Sequence, residues 1–293
     1  MALVIDCHEH IINKRGFLNP KGETVVLPEE MVAIMDAKGI DKACVLPLSS
    51  PETYHFVQSN EEVFEACDRF PDRFVRFCSL DPRMTDNSPE HDFVPVLEYY
   101  RDKQGCRGMG ELVANLWWDD PRVQRLLAGC EQVGLPVTFH LAAHEYNGYG
   151  LVTEAGLYGL ERALARFPRL ALVGHSPVFW NEVAPVREPR RGRASGPVGP
   201  GGRVPELMRR YANLWGDLSA GSGYTAMSRD PAWGYAFMEE FQDRLMFGLD
   251  ICLPSNDEAP LKKFMDEAVA GGKISRTAYE KIMGLNAARL YRV

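Results

Sequence analysis

Histidines and carboxylates in this chain gather at the ends of apolar runs. Val4-Ile5-Asp6-Cys7-His8-Glu9-His10 opens it with two imidazoles spaced i, i+2. In an extended strand they point to one face, with Asp6 below them. Val137-Thr138-Phe139-His140 and Leu172-Val173-Gly174-His175 each end on a histidine, and Gly108-Met109-Gly110-Glu111 and Phe247-Gly248-Leu249-Asp250 each end on a carboxylate. Neutral imidazole and carboxylate oxygen form a donor set suited to Zn²⁺, with Mn²⁺ or Fe²⁺ as substitutes. A metal held by such groups with a position left open keeps a water and lowers its pKa to roughly 7. The chemistry expected is that of a metal-activated water, with Asp250 placed to take its proton.

These donors meet only if the fold delivers them to one place. Strand-like runs fall at 3–7, 42–47, 74–80, 105–112, 136–141, 170–174, 214–219 and 245–249. Helical patterns fall between and after them, at 28–38, 58–70, 90–103, 121–133, 153–167, 203–211, 230–242, 256–268 and 275–290. The second helix starts near Ser59 with acidic residues in its first turn, the fourth with Pro121 at the first helical position, and the last at Ser275. Eight strands each followed by a helix predict the α/β class and a closed, TIM-like (β/α)8 barrel, a single domain over 1–293. All strand C-termini of such a barrel converge on one rim, so His8, His10, Glu111, His140, His175 and Asp250 would surround one cavity.

One segment breaks the rhythm. Residues 181–203 read NEVAPVREPRRGRASGPVGPGGR, with no hydrophobic period of either kind. Following the sixth strand, this segment would emerge at the catalytic rim, as a substrate-covering lid or as an oligomer contact or mobile insertion. Arg187, Arg190, Arg191 and Arg193 either meet an anionic substrate there or are solvated.

Composition narrows the partners. A net charge of -7 over 293 residues gives no reason to expect nucleic acid or an acidic membrane, and leaves a small-molecule substrate. No apolar stretch reaches the 18 or so residues of a membrane span, and the N-terminus lacks a signal-peptide pattern, so a cytoplasmic location is expected. Seven cysteines without a CxxC pair read as reduced, buried thiols. Strand alternation points Cys7 away from Asp6 and His8, towards the helical shell.

Other residues have candidate roles at the rim. His144, four residues past His140, and Trp117, just past Glu111, are candidate substrate contacts, whereas Trp118 reads as packing. Asp217, ending the seventh strand beside Ser219, either orders a ligand histidine or faces substrate. His55 and His91 read as ordinary surface residues.

The opening IDCHEH, the FHLAAH and VGHSP segments, NLWGDLSA, the FGLD tip and the closing IMGLNAARLY together resemble the amidohydrolase superfamily. The resemblance is to its amidohydrolase-related (amidohydrolase 2) branch, which includes aminocarboxymuconate-semialdehyde decarboxylases. It implies a (β/α)8 barrel with His8, His10, His140 and Asp250 as metal ligands. His175 would ligate a second metal or act as general acid/base, and Glu111 would bridge two metals if two are bound. A homodimer is a further implication. The implied reaction is hydrolysis of an amide, lactone or ester by metal-bound hydroxide, with Asp250 as base and His175 stabilising developing charge. The same ligands would serve non-oxidative decarboxylation of an unsaturated or aromatic acid, and a barrel that binds without catalysis is a third reading. Glu111 favours the binuclear hydrolase.

Overall fold

A computed structural model describes residues 3–19, 21–53, 57–146, 148–190, 192–256 and 260–293, so His55 and Arg191 lie outside the described residues. Among the described residues nine strands run in parallel: β1 Ile5–Glu9, β2 Lys42–Val45, β3 Phe74–Cys78, β4 Gly108–Leu112, β5 Val137–Ala142, β6 Leu151–Val152, β7 Leu172–His175, β8 Leu214–Asp217 and β9 Leu245–Met246. Their order is β1-β2-β3-β4-β5-β7-β8-β9, with β6 attached to the end of β5. The ring meets itself through two backbone bonds, Cys7 N to Phe247 O at 2.9 Å and Asp250 N to His8 O at 3.0 Å. This is the eight-stranded parallel barrel expected, its strands alternating with helices.

The helix starts follow local chemistry. Ser59 accepts from Glu62 N at 3.2 Å, Asp120 precedes Pro121 and accepts from Arg122 N at 2.9 Å, and Ser275 accepts from Ala278 N at 3.0 Å. Each side chain satisfies a donor that the first turn leaves unpaired. Sequence periodicity misses Pro177–Asn181 and Ala220–Ser228, two short helices directly after β7 and β8. The run expected as one helix over 275–290 is Arg276–Glu280, a π-turn over Lys281–Leu285, and Asn286–Tyr291.

Two apolar cores flank the strand ring. Ala43, Met109, Phe139, Leu172 and Leu214 pack outward against the helices. Ile5, Cys44, Val75, Phe77, Val173 and Met246 point inward, where Tyr291 of the final helix joins them. Cys7 belongs to this inner cluster, which corrects its expected place against the helical shell. The β1–β2 register shifts between Asp6 and Glu9, so strict alternation fails there. The same irregularity separates Asp6 from the face of His8 and His10. Its carboxylate instead accepts His8 N at 3.0 Å and Leu249 N at 3.2 Å.

Candidate metal centre

The strand tips converge. From β1, His8 and the following His10 bring their Nε2 atoms within 3.0 Å of each other. Glu111 Oε2, from β4, lies 3.8 and 3.7 Å from those two nitrogens, and Asp250 Oδ1, beyond β9, lies 3.9 and 3.6 Å from them. Tetrahedral coordination with metal–donor bonds of about 2.0–2.2 Å separates donors by roughly 3.3–3.6 Å. The separations bracket that range, and His8, His10 and Glu111 form one potential donor group with Asp250 beside it.

A second group adjoins the first. Glu111 Oε1 accepts from His140 Nδ1 at 2.7 Å, and Glu111, His140 and His175 offer donor atoms within 4.8 Å of one another. His8, His175 and Asp250 form a further such group. Glu111 is thus shared between the His8–His10 pair and His140–His175, while Asp250 Oδ2 reaches His175 Nε2 at 3.5 Å. All six residues expected at the rim meet there.

Behind them sit residues that orient the donors. Asp217 is fully buried and accepts from His8 Nδ1 at 2.6 Å, which leaves Nε2 as the nitrogen aimed at the other donors. His175 Nδ1 lies 3.2 Å from Asp217 and 3.1 Å from Ser219 Oγ. His10 Nδ1 bonds the Leu46 carbonyl at 2.8 Å, fixing its tautomer in the same way. Of the two readings for Asp217, this position corresponds to ordering a histidine.

The turn that carries Asp250 is clamped from β1. Leu249 N donates to Asp6 Oδ1, Asp250 N to the His8 carbonyl, and Ile251 N to Glu9 Oε2 at 2.8 Å. Asp250 takes a left-handed φ of 56°, a conformation that aspartate tolerates better than most side chains. Gly248 is needed for the approach, since a Cβ there would stand 2.9 Å from Ser219 Cβ and 3.1 Å from Asp6 Oδ1. The sequence pattern does not mark Asp6 and Glu9 as clamps. Their signal is two acids flanking His8 in an otherwise apolar strand.

Electrostatics divides the cluster. Burial pushes Asp217 towards the neutral form, but His175 and His8 outweigh it and hold its carboxyl well below the usual range. Burial likewise opposes the His175 cation, yet Asp217 beside it and Asp250 in front raise its pKa well above the ordinary value. His10 and His140 move down, chiefly through burial. Glu111 and Asp250 are both depressed, with burial overcome in the first by His140 and in the second by His8 and His175. Behind β1, burial pushes Asp6 up to about 7.

The remaining candidates lie apart from this cluster. Trp117 is half exposed and donates through Nε1 to Glu145, and His144 is exposed, its carbonyl accepting from Asn115 Nδ2 at 3.3 Å. Trp118 is buried and packs edge-on against Phe139. His91 contacts Thr85 Oγ1 at 3.0 Å. The sequence marks Cys252, two residues past Asp250, only as one of several thiols. Its Sγ lies 3.3 Å from Asp250 Oδ1, and with His10 and Asp250 it forms another potential donor group. The 181–203 segment is braced by Asn181, which donates to the carbonyls of Arg190 at 3.1 Å and Gly192 at 2.8 Å and accepts from Ala194 N at 2.8 Å. Among the described residues, no helix is long and apolar enough to cross a membrane.

A parallel eight-stranded barrel with imidazole and carboxylate groups gathered on one rim defines a class of protein whose strand tips offer groups able to ligate metal. A model of the amidohydrolase family matches residues 5–293, and the chain belongs to that family. A TIM-barrel protein from Bordetella bronchiseptica is similar at 21% identity and a TM-score of 0.65, with 99% of this chain and 98% of that chain covered. The 5-carboxyvanillate decarboxylase of Novosphingobium aromaticivorans, with manganese and 4-hydroxy-3-methoxy-5-nitrobenzoic acid, is similar at 16% identity and a TM-score of 0.64, covering 100% and 96%. A protein from Acinetobacter baumannii described as a probable 2-pyrone-4,6-dicarboxylic acid hydrolase, with citric acid bound, is similar at 13% identity and a TM-score of 0.58, covering 99% of each chain. At these identities the likeness establishes the fold. A search of curated proteins finds no match to the chain.

Proposed function

We propose that this protein is a metal-dependent hydrolase that cleaves an amide, lactone or ester bond of a small molecule. The observation that carries the reading is Glu111, one oxygen of which faces the His8–His10 pair while the other binds His140. A carboxylate so placed suits a bridge between two ions. His8, His10 and Glu111 would hold one, with Asp250 beside them, and Glu111, His140 and His175 the other. A bound divalent metal, Zn²⁺ or Mn²⁺, supplies Lewis acidity that lowers the pKa of a water to about 7 and polarises a carbonyl.

The chain's own groups do the rest. Asp250 retains side-chain exposure of 18%, against 4% for Glu111, so it is the cluster carboxylate open to an entering water. It takes the proton of the attacking water, in keeping with a carboxyl that its histidine neighbours hold ionised. His175, held through Nδ1 by Asp217 and Ser219, would present Nε2 to the second ion, whose Lewis acidity would supply the stabilisation of developing negative charge.

Non-oxidative decarboxylation of an aromatic acid is a second reading. It draws support from the 5-carboxyvanillate decarboxylase, whose fold this chain follows over 100% of its length. In that case His175 would deliver the proton that replaces carbon dioxide. Metal-loaded protein assayed in ¹⁸O-water against lactones, esters and aromatic acids separates the two. Hydrolysis places one ¹⁸O in the acid product. Release of carbon dioxide with an unlabelled organic product would reject the hydrolase reading in favour of the decarboxylase.

A further inference from the structure

Six of the seven cysteines are buried, and the seventh, Cys252, stands partly exposed at the edge of the metal centre. Its place is fixed from two sides. The turn before it is clamped to β1 through Leu249 N, Asp250 N and Ile251 N, and its own carbonyl accepts from Val26 N at 3.1 Å. The left-handed turn at Asp250 brings the two side chains together, with Cys252 Sγ 3.3 Å from Asp250 Oδ1.

Three donor atoms converge here. Asp250 Oδ1 is also 3.6 Å from His10 Nε2, and His10, Asp250 and Cys252 offer atoms within 4.8 Å of one another. Metal–sulfur bonds of about 2.3 Å and metal–nitrogen or metal–oxygen bonds of about 2.0–2.2 Å, at tetrahedral angles, set donors roughly 3.3–3.7 Å apart. The two measured separations are of that size. This group differs in kind from the others on the rim, which hold only imidazole and carboxylate. Carboxylate suits hard ions such as Mn²⁺, whereas thiolate selects soft ones. Burial, then the charge of Asp250, pushes the Cys252 thiol well above its ordinary range, so the metal-free chain keeps it protonated. Binding at sulfur therefore breaks the S–H bond, forms a metal–sulfur bond and releases the proton to solvent.

We propose that His10, Asp250 and Cys252 form a position for a soft divalent cation such as Cd²⁺, alternative to the ion held by His8, His10 and Glu111. The proposal rests on the metal-dependent reading above. His10 has one nitrogen to offer, because its Nδ1 is held by the Leu46 carbonyl at 2.8 Å, so it serves one position at a time. A soft ion drawn to Cys252 takes His10 from His8 and Glu111, and it covers the Asp250 oxygen that would accept the proton of water. Mn²⁺ gains little from sulfur and stays with the imidazole and carboxylate groups. Cys252 is thus the residue that makes the centre sensitive to soft metals.

Titration with Cd²⁺ and, separately, with Mn²⁺ tests this in the wild type, Cys252→Ser and His10→Ala, with affinities read by competition against a calibrated chelator. Ultraviolet absorbance follows charge transfer from thiolate to Cd²⁺. The first Cd²⁺ ion bound by the wild type should produce that band. Cys252→Ser should lose the band and bind Cd²⁺ about tenfold or more weakly, while its Mn²⁺ affinity stays within about twofold of wild type. His10→Ala should weaken Cd²⁺ binding by a similar factor. Serine nearly matches cysteine in shape, thermal unfolding checks the fold of each variant, and Cys252→Ala provides a second removal of the thiol. A first Cd²⁺ ion bound without the band, a band that persists in Cys252→Ser, or Cd²⁺ binding unchanged in Cys252→Ser or in His10→Ala would overturn the proposal and leave the metal-dependent reading standing. Mn²⁺ weakened by Cys252→Ser as much as Cd²⁺ would do the same, since it marks a structural role for the thiol. Binding of neither ion by the wild type would overturn both.

Discussion

Asp217→Asn isolates the group that orients the metal-facing histidines. The wild-type carboxylate, fully buried, accepts from four donors: His8 Nδ1 at 2.6 Å, His175 Nδ1 at 3.2 Å, Cys7 Sγ at 3.2 Å and Ser219 N at 2.8 Å. The first two lie on Oδ2 and the last two on Oδ1. An asparagine must turn its NH₂ towards one pair or the other, and each pair consists of donors. Facing the histidines, it forces His8 to move its proton to Nε2, the atom aimed at the metal position. Facing Ser219 and Cys7, it spares the tautomer but still removes the negative charge. Partners of this kind change metal affinity by about 10–100-fold, equivalent to roughly 1.4–2.7 kcal/mol. Competition with a calibrated chelator measures the affinity, and thermal unfolding of the same sample separates it from loss of fold. An affinity within about twofold of wild type in folded Asp217→Asn protein would refute the orienting role.

Three further outcomes are expected. Glu111→Gln should lower the metal content from two ions per chain towards one by elemental analysis, and a wild type that binds one ion would contradict the bridge. Arg83→Ala should cost about 2 kcal/mol in urea unfolding, because Arg83 is forked onto Glu52 at 2.6 and 2.7 Å and onto Asp81, which is 3% exposed; the figure is reduced for the partial exposure of Arg83 and Glu52. Burial raises the Asp81 carboxyl, but Arg83 and Ser50 outweigh it and depress its pKa. The wild-type advantage should therefore be complete above the unfolded value of about 3.9 and fade as pH falls through the lower folded value; a constant difference down to strongly acidic pH would refute this. Gly174→Ala should cost about 1–3 kcal/mol, since a Cβ would lie 2.4 Å from Phe179 Cζ, and an unchanged melting temperature would contradict the close packing.

Much of the architecture was legible because its signals are local. Apolar runs ending in His or Asp mark strand tips, and Ser59, Asp120-Pro121 and Ser275 announce helix starts whatever the tertiary context. The strand alternation that placed Cys7 outside failed because the shift between Asp6 and Glu9 is set by pairing with β2 and by the Asp250 turn, contacts far away in sequence. β6 escaped notice since two residues, Leu151–Val152, carry no period; they pair with β5 only through the path of the preceding loop. Asp217 could be placed at a strand end, but its choice between substrate and histidine required the third dimension. The 181–203 composition suggested irregular chain, and could not reveal that one side chain, Asn181, braces it.

The central claim is that the strand tips hold metal, and anomalous diffraction from crystals of protein purified without chelator tests it most directly. An anomalous peak near full occupancy is expected about 2.0–2.3 Å from His8 Nε2, His10 Nε2, Glu111 Oε2 and Asp250 Oδ1, with a second peak beside His140 and His175. Protein with less than about a tenth of an equivalent of transition metal, with no peak between those atoms after soaking in Zn²⁺ or Mn²⁺, would contradict the claim.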